Sequence, residues 1–401
     1  MVGRRLTAVG ALAAAAALVL SGCANQGGDQ GGSGGSSASS PGTPTNAVLP
    51  AGNGQGKCAP GTSIAYVGTL AGQNAALGQA IANATELAVN QHNQANAGCQ
   101  VTLVKSDSGG TPDTATGPTT AVINNPAVLG IVGLPFSGES KAVGPALAAA
   151  GLVNITPSAT NPALTTNGWT NFFRGLGNDA VQGPAAARFI QQKLNAQNVC
   201  VVRDDSDYGI GLADAVTQAL GPQVAACQDQ VKTNQKEFSA TVGKIQQANP
   251  QVVFYSGYYT EASPLVQQLR DAGVQATFIG PDGVKDGQFV TNAAGAANNA
   301  LLTCPCVPQD NFTDFRNAYQ AAYGKPPETY SAEAYDSATI LLSGIDKGIA
   351  DRPGLLNYVK SYDGQGLTKR FKWSPTGELS ETPVWVYKVQ GNEIVKDQPI
   401  T

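Results

Sequence analysis

Short apolar runs alternate with longer amphipathic stretches from residue 62 onward. Each apolar run has the length of one buried strand, and the longer stretches carry apolar positions at helical spacing. The predicted strands of this first series are 64–68, 101–104, 128–132 and 152–155. The predicted helices between them are 75–92, 114–124 with Pro118 in its first turn, and 141–150. These strands are apolar throughout, as burial on both faces of a parallel sheet requires.

A second series of the same kind begins near residue 179. Its predicted strands are 199–202, 224–227, 252–255 and 277–279. Its predicted helices are 180–194, 211–220, 238–248 and 261–272. Strands that alternate with helices in this way form right-handed β-α-β units, which build parallel sheets covered on both faces. The sequence therefore predicts an α/β protein with two similar, doubly wound lobes.

The C-terminal part of the chain breaks this alternation. Its predicted elements are two helices followed by two β-segments, at 312–323, 331–349, 370–373 and 384–389. We expect this tail to return to both sheets, so that each lobe is built from two separate segments of the chain. The predicted first lobe comprises 58–178 plus 305–382, and the predicted second lobe comprises 179–304 plus 383–401.

Residues 1–22 have the features of a secretory signal peptide. A basic start precedes an apolar run over 8–20, which is too short to form a stable membrane-spanning helix. The sequence Leu-Ser-Gly-Cys that ends at Cys23 resembles the lipobox of bacterial lipoproteins, and this resemblance implies that Cys23 carries a lipid anchor. An ordinary signal peptide beside a chance cysteine is the alternative. Residues 23–57 are rich in Gly, Ser and Pro and predict a flexible linker.

Composition and charge narrow the class of function. The net charge is −4, charged residues make up 13% of the chain, and no basic patch favours nucleic-acid binding. The single histidine, His92, ends a predicted helix, where we expect it to be exposed and remote from any strand-end hydroxyl. Residues 175–180 fit a nucleotide-binding G-x-G-x-x-A pattern but lack the acidic residue about 20 positions later. We therefore expect no catalysis, no cofactor and no bound metal.

Six cysteines follow Cys23, and an even number in an exported chain predicts disulfides. Six cysteines allow about 15 pairings, and the sequence favours pairs between successive cysteines: Cys58–Cys99, Cys200–Cys227 and Cys304–Cys306. The cysteines of the first two pairs lie beside neighbouring predicted strands. The last pair would close an unusually tight ring, and a redox or metal-binding role is its alternative.

Ligands of open parallel sheets bind beyond the carboxyl ends of the strands. In the first lobe these ends supply Ser137, Ser158 and Thr160, which with helix N-termini suit an anion such as a carboxylate. In the second lobe they supply two aromatic rings and one acid that suit a cation: Tyr208, Tyr258 and Asp282. Facing each other across a cleft, the two sets would complement a zwitterion. Helix caps, turns and packed tyrosines are the alternative interpretations.

Five segments share a family resemblance in their order and spacing: 67–72, 155–160, 207–209, 255–258 and 280–283. Together they resemble the branched-chain amino acid (Leu/Ile/Val)-binding proteins, which are periplasmic receptors of ABC transporters. The resemblance implies a type I periplasmic-binding fold, in which three hinge crossings join two lobes and the ligand cleft closes between them.

The resemblance also assigns roles to residues. It implies that Ser137, Ser158 and Thr160 meet the ligand carboxylate, and that Thr160 also lies near the ammonium. Asp282 stands at the position of the acidic partner of the ammonium, although close relatives have a Glu there. The remaining predicted site residues line or close the pocket: Leu77, Phe136, Tyr208 and Tyr258. Leu77 stands where relatives often have an aromatic residue.

The implied partners are an amino-acid ligand, an ABC transporter permease and the membrane that the lipid anchor enters. We expect a monomer on the extracytoplasmic face of the cell membrane. The family also contains binders of amides, urea and aromatic compounds, so a ligand-sensing module of the same fold for a small polar compound is the alternative function.

Overall fold

The computed structural model describes residues 54–224, 227–380 and 382–400. The predicted signal peptide, the lipidation site Cys23 and nearly all of the predicted linker lie outside the described residues. Within these described ranges, no helix is both long enough and apolar enough to cross a membrane.

The first lobe is built on a five-stranded parallel sheet. Its strands are β1 (Ser63–Gly68), β2 (Thr102–Asp107), β3 (Val128–Gly133), β4 (Val153–Thr156) and β5 (Phe172–Arg174). They lie in the order β2-β1-β3-β4-β5. The helices between them are α1 (Ala75–Ala95), α2 (Pro112–Ile123) and α3 (Ser137–Ala149). The four strands predicted for this lobe are present at those places in the chain. β5 was not predicted, because a strand of three residues is too short to show a recognisable pattern in the sequence.

The second lobe repeats this arrangement. Its first part contains α4 (Asp179–Gln192), β6 (Val199–Arg203), α5 (Asp207–Leu220), β7 (Gln228–Gln230), α6 (Ser239–Ala248), β8 (Val252–Ser256), α7 (Tyr259–Asp271), β9 (Thr277–Gly280), α8 (Gly287–Asn292) and β10 (Leu301–Cys304). The predicted strand at 224–227 is wrong, because 221–224 form a 3₁₀ turn and the strand begins at Gln228. This edge strand is short and polar, so it lacks the apolar signal of a buried strand.

The tail returns to the two lobes differently. Its elements are α9 (Thr313–Tyr323), α10 (Ser331–Ile345), α11 (Arg352–Lys360), β11 (Asp363–Gln365), β12 (Arg370–Lys372), β13 (Val384–Gln390) and β14 (Glu393–Ile400). β13 and β14 extend the second sheet antiparallel, in the order β14-β13-β10-β9-β8-β6-β7. The first lobe receives helices instead, with α10 packed on α1 and α11 packed on β3 and β4. The expectation that the tail returns to both sheets is therefore wrong for the first lobe, because β12 pairs with β11 in a separate two-stranded sheet.

Several helices begin earlier than predicted, and this places strand-end residues in their first turns. α3 begins at Ser137 rather than 141, and α5 begins at Asp207 rather than 211. α2 begins at Pro112, so Pro118 lies inside the helix and not in its first turn. The polar residues that obscured these starts in the sequence are those that cap helices.

The chain passes between the lobes after β5, after β10 and between β12 and β13. These three crossings touch one another. A Cβ atom added to Gly177 of the first crossing would lie 3.3 Å from Pro305 and 2.9 Å from Thr382, on the second and third crossings. In addition, the Trp373 indole donates to the carbonyl of Arg174 at 2.7 Å. The three hinge segments are therefore packed against one another.

The six cysteines that follow Cys23 lie in three disulfides, and these are the pairs that the sequence favours: Cys58–Cys99, Cys200–Cys227 and Cys304–Cys306. The third disulfide lies at the end of β10, where the second crossing begins.

Candidate functional site

Asp282 lies at the centre of a buried cluster between the lobes. It directly follows Pro281 at the end of β9 and starts a short 3₁₀ turn. One of its carboxylate oxygens accepts a hydrogen bond from the Tyr208 hydroxyl at 2.7 Å, and the other accepts one from the Tyr330 hydroxyl at 2.7 Å. The backbone N–H of Gly283 donates to the Tyr208 oxygen at 3.1 Å. Both oxygens of Asp282 are thus engaged by phenol groups.

Aromatic rings join this cluster to the first lobe. The Tyr258 ring centroid lies 5.1 Å from that of Tyr208 and 5.0 Å from that of Phe136, which precedes α3 in the first lobe. Leu77 is fully buried near the start of α1, in the hydrophobic core that also contains these three rings. The structure therefore brings together both predicted tyrosines, Phe136 and Asp282.

The three predicted hydroxyl residues of the first lobe differ in their partners. The Ser137 oxygen accepts a hydrogen bond from the N–H of Asn161 at 3.2 Å, and the Ser158 hydroxyl donates to the carbonyl of Pro135 at 2.9 Å. Both serines thus stabilise the loops around them, as the alternative interpretation of these residues as caps and turn residues predicts. The Thr160 oxygen is buried and has no hydrogen-bond partner in the described part of the chain.

Asp179 is a buried acid of this site that the sequence did not reveal as a site residue. It is the first residue of α4, and its N–H donates to the carbonyl of Thr160 at 3.0 Å. Neither of its carboxylate oxygens has a partner of standard hydrogen-bond geometry among the described residues, although the Thr160 side chain lies close enough to act against the rise of its pKa. Burial, and then the nearby carboxyl of Asp282, raise the pKa of Asp179 to about 8. In the sequence it is indistinguishable from an ordinary acid in the first turn of a helix.

Tyr330 is the second residue that sequence reasoning missed. It precedes α10 with a φ of 69°, a backbone conformation that is uncommon for a bulky residue. No strand end leads to this position, so the search of strand ends could not find it. From this position its hydroxyl reaches the Asp282 carboxylate.

Arg174 is a buried cation that acts on Asp179, but its donors are already used. Its guanidinium donates to the Glu378 carboxylate at 2.9 Å, to the Ala159 carbonyl at 2.5 Å and to the Asn161 carbonyl at 2.6 Å. It thereby fixes the loop after β4. Because Glu378 pairs with Arg174, its carboxylate opposes the effect of Arg174 on the pKa of Asp179.

Polar contacts across the cleft hold the lobes together. The Lys141 ammonium pairs with Asp207 at 2.6 Å, and the Asn161 side chain donates to the carbonyl of Asp207 at 2.6 Å. Near the same face, the Gln73 side chain donates to Glu261 at 2.6 Å. A cavity of about 300 Å³ adjoins these contacts, and its lining includes Gln73, Phe136, Glu139, Asp207 and Tyr258. The lobes therefore stand in a closed arrangement.

His92 does not lie at an exposed helix end, and that expectation is wrong. It is fully buried, and its Nε2 atom lies 2.7 Å from the Asp346 carboxylate. With the Cys99 sulfur these two form the one cluster of metal-ligand types found within the described ranges. Cys99 is bonded to Cys58 and is not a free thiolate, so the cluster lacks the ligand that would hold a metal.

Comparisons with known proteins agree on one type of protein. A model of the periplasmic binding protein family matches residues 61–393. The chain is 29% identical over 342 residues to Leu/Ile/Val-binding protein homolog 3 of Brucella melitensis, covering 83% of this chain and 92% of that protein. It is 29% identical over 333 residues to the leucine-, isoleucine-, valine-, threonine- and alanine-binding protein of Pseudomonas aeruginosa, covering 81% of this chain and 89% of that protein.

A solved structure gives the same result. The branched-chain amino acid transporter substrate-binding protein LivJ from Streptococcus pneumoniae, in complex with isoleucine, matches with a TM-score of 0.79 at 25% identity. The match covers 84% of this chain and 99% of that chain.

Proposed function

Since this chain belongs to the periplasmic binding protein family, we propose that it binds an α-amino acid with an aliphatic side chain and delivers it to an ABC importer. Binding occurs by closure of the two lobes over the ligand. The two-lobe α/β fold and the family resemblance predicted from the sequence are confirmed.

The observation that carries this proposal is the buried pair Asp179 and Asp282 between the lobes, together with Thr160. An ammonium group is the natural partner of carboxylates that are removed from water, because an isolated buried carboxylate is costly. A relative named for binding leucine, isoleucine and valine matches over most of this chain. Within this proposal Ser137, Ser158 and Thr160 serve the ligand carboxylate, and the aromatic rings enclose the site.

We propose that the protein catalyses no reaction. The family consists of substrate-binding proteins of transporters. The single imidazole, His92 on α1, is engaged by Asn93 and by Asp346 at the end of α10, so neither ring nitrogen is free to act as a general base.

The same proposal covers the exported form of the protein. Family membership indicates a protein that works outside the cytoplasm. We propose that 1–22 is removed, that Cys23 is lipidated, and that 23–57 tethers a monomeric receptor to the extracytoplasmic face of the membrane. We also propose that the three disulfides form there, and that the lobes comprise 58–178 plus 305–382 and 179–304 plus 383–401.

Isothermal titration calorimetry tests the proposed ligand class. The purified full-length chain is unfolded and refolded to remove copurified ligand, and is then titrated with leucine, isoleucine, valine, acetamide, urea and benzoate. We expect saturable one-to-one binding of at least one aliphatic amino acid. A response to an amide, urea or benzoate, with none to any amino acid, would contradict the proposal.

A further inference from the structure

We propose that the disulfide Cys304–Cys306 fixes the pivot of the hinge, so that ligand capture depends on this bond while the fold of each lobe does not. The bond lies where the chain leaves β10 and enters the second crossing. This inference rests on the proposed function only for the effect of the bond on ligand affinity. The effect of the bond on the hinge is measurable without a ligand.

The peptide group between Cys306 and Val307 is bonded to both lobes. Its carbonyl accepts a hydrogen bond from the hydroxyl of Tyr387, which lies on β13 of the second lobe, at 2.9 Å. Its N–H donates at 3.0 Å to the carboxylate of Glu333, in the first turn of α10, which packs on α1 of the first lobe. One planar group thus joins the lobes. Because atoms near a rotation axis move least, a group held from both sides marks the pivot of closure.

The disulfide ties this shared peptide group to the second sheet. Cys304 is the last residue of β10, and it pairs with Trp385 of β13. Its bond to Cys306 closes a ring of three residues, in which Pro305 has a fixed φ and the Cys306 N–H donates to the Cys304 sulfur at 3.1 Å. Few backbone dihedrals are therefore free between the sheet and the shared peptide group.

The other two crossings are built differently. The first and third crossings, 175–178 and 373–383, contain no cysteine. The first contains Gly175 and Gly177, and glycine leaves the backbone its greatest conformational freedom. Hinge closure requires a few residues that absorb large changes of dihedral angle. The first crossing can therefore bend during closure, whereas the second crossing provides the fixed point.

The hinge disulfide differs from the other two disulfides in the length of the loop that it closes. The sequence separation is 41 for Cys58–Cys99 and 27 for Cys200–Cys227, but 2 for Cys304–Cys306. A disulfide stabilises a fold mainly by restricting the unfolded chain, and this effect grows with the length of the closed loop. The hinge disulfide contributes least in this way, so its main effect is on the folded hinge.

A redox role fits this bond poorly. Cys304 is fully buried, and Cys306 is 2% exposed. Reactive cysteines lie in partly exposed sites where the thiolate is stabilised. A structural role of the bond is therefore favoured.

The test removes the hinge disulfide and, as a matched control, one disulfide of a lobe. Cys304→Ala/Cys306→Ala opens the ring, and Cys306→Ala alone opens it but keeps the Cys304 sulfur. The control Cys58→Ala/Cys99→Ala removes the disulfide at the amino ends of β1 and β2, opposite the strand ends where ligands bind. A peptide map of the wild type without reductant should show the 304–306 link, and two free thiols there would contradict the proposal.

Hydrogen exchange of the ligand-free proteins, followed by mass spectrometry, tests the pivot itself. Both hinge variants should exchange faster than the wild type in peptides that cover 303–308 and 175–178, with unchanged exchange in β3 and β8. The control should exchange like the wild type at the crossings. Unchanged exchange at the crossings of both hinge variants, or faster exchange throughout the second lobe, would show that the bond does not act on the pivot.

Calorimetry with leucine tests the consequence for ligand capture. Both hinge variants should bind leucine about 5- to 30-fold more weakly, because the entropy of about one freed backbone residue favours the open form. The control should bind leucine like the wild type and should melt at a lower temperature than the hinge variants.

The outcomes separate the two proposals. If the wild type binds no amino acid but the hinge variants exchange faster at the crossings, the proposed function is wrong and the assignment of the pivot stands. If the wild type binds leucine and both hinge variants bind it with the same affinity, only the inference about the disulfide is wrong.

Discussion

The two walls of the cleft are built in different ways. The part of the first lobe's wall formed by Phe136, Ser137, Ser158 and Thr160 is uncharged, and its two serines already form hydrogen bonds within that lobe. One buried acid of the same lobe, Glu139, lines the adjoining cavity. The opposite wall presents Tyr208 and Tyr258 with two fully buried acids, Asp179 and Asp282.

The two walls therefore contribute different properties to the site: the first contributes its shape and the second contributes its charge. The first wall is held by its own hydrogen bonds and by the Arg174 side chain, so it keeps its form without a ligand. The acids of the second wall are buried near each other, and burial raises the pKa of both. Their ionised forms are therefore unfavourable until a cation arrives. In our account the first wall provides geometry and the second wall provides selection for an amine.

The largest expected effect is on the pH dependence of stability of the empty protein. Burial raises the pKa of Asp179 to about 8, and it raises the pKa of Asp204 and of Glu139 to about 7. These carboxyls keep their protons in the folded state at pH values where the unfolded chain has lost them. The free energy of unfolding should therefore fall as the pH rises from about 4 to about 8, by about 1.4 kcal/mol per proton and pH unit.

Urea unfolding between pH 4 and pH 8 measures this slope. Asp179→Asn should flatten the part between pH 4 and pH 8 that belongs to the cleft, while Asp314→Asn, which removes an exposed carboxylate on α9, should leave the slope as in the wild type. A free energy of unfolding that is constant or rises over this interval would show that the acids of the second wall are not strained by burial.

A small effect is expected from the ion pair that connects the walls at the surface. Lys141 and Asp207 are partly exposed, and exposed pairs contribute about 0–1 kcal/mol. Lys141→Met should therefore weaken leucine binding by less than about 5-fold, and the difference should vanish near 1 M salt, where exposed charges are screened. A larger loss that persists at high salt would mean that this pair is part of the recognition site and not a surface contact between closed lobes.

The sequence predicts the repeating strands well, because runs such as those of β1, β3 and β8 are buried and apolar over their full length. It fails where that signal is absent. β7 is polar at the edge of its sheet, and β5 has three residues. The starts of α3 and α5 were placed late because Ser, Gly and Asp favour turns as well as helix starts.

The sequence predicts those site residues that directly follow a strand. Tyr208, Tyr258 and Asp282 follow strands, and the structure brings them together. Tyr330 comes from the tail, which reaches the site only through the tertiary fold. Asp179 has no local signal that separates it from an ordinary acid in the first turn of a helix. Its burial and its missing partners are properties of the folded molecule alone.

A crystal structure of the refolded protein with leucine tests the central claim most directly, because it shows which atoms surround the ammonium. We predict a ligand between the two walls, with its nitrogen about 3 Å from a carboxylate oxygen of Asp179 or Asp282 and its carboxylate within reach of the Thr160 hydroxyl. Leucine bound instead in the cavity beside Gln73 and Glu139, or with its nitrogen remote from both Asp179 and Asp282, would contradict the account.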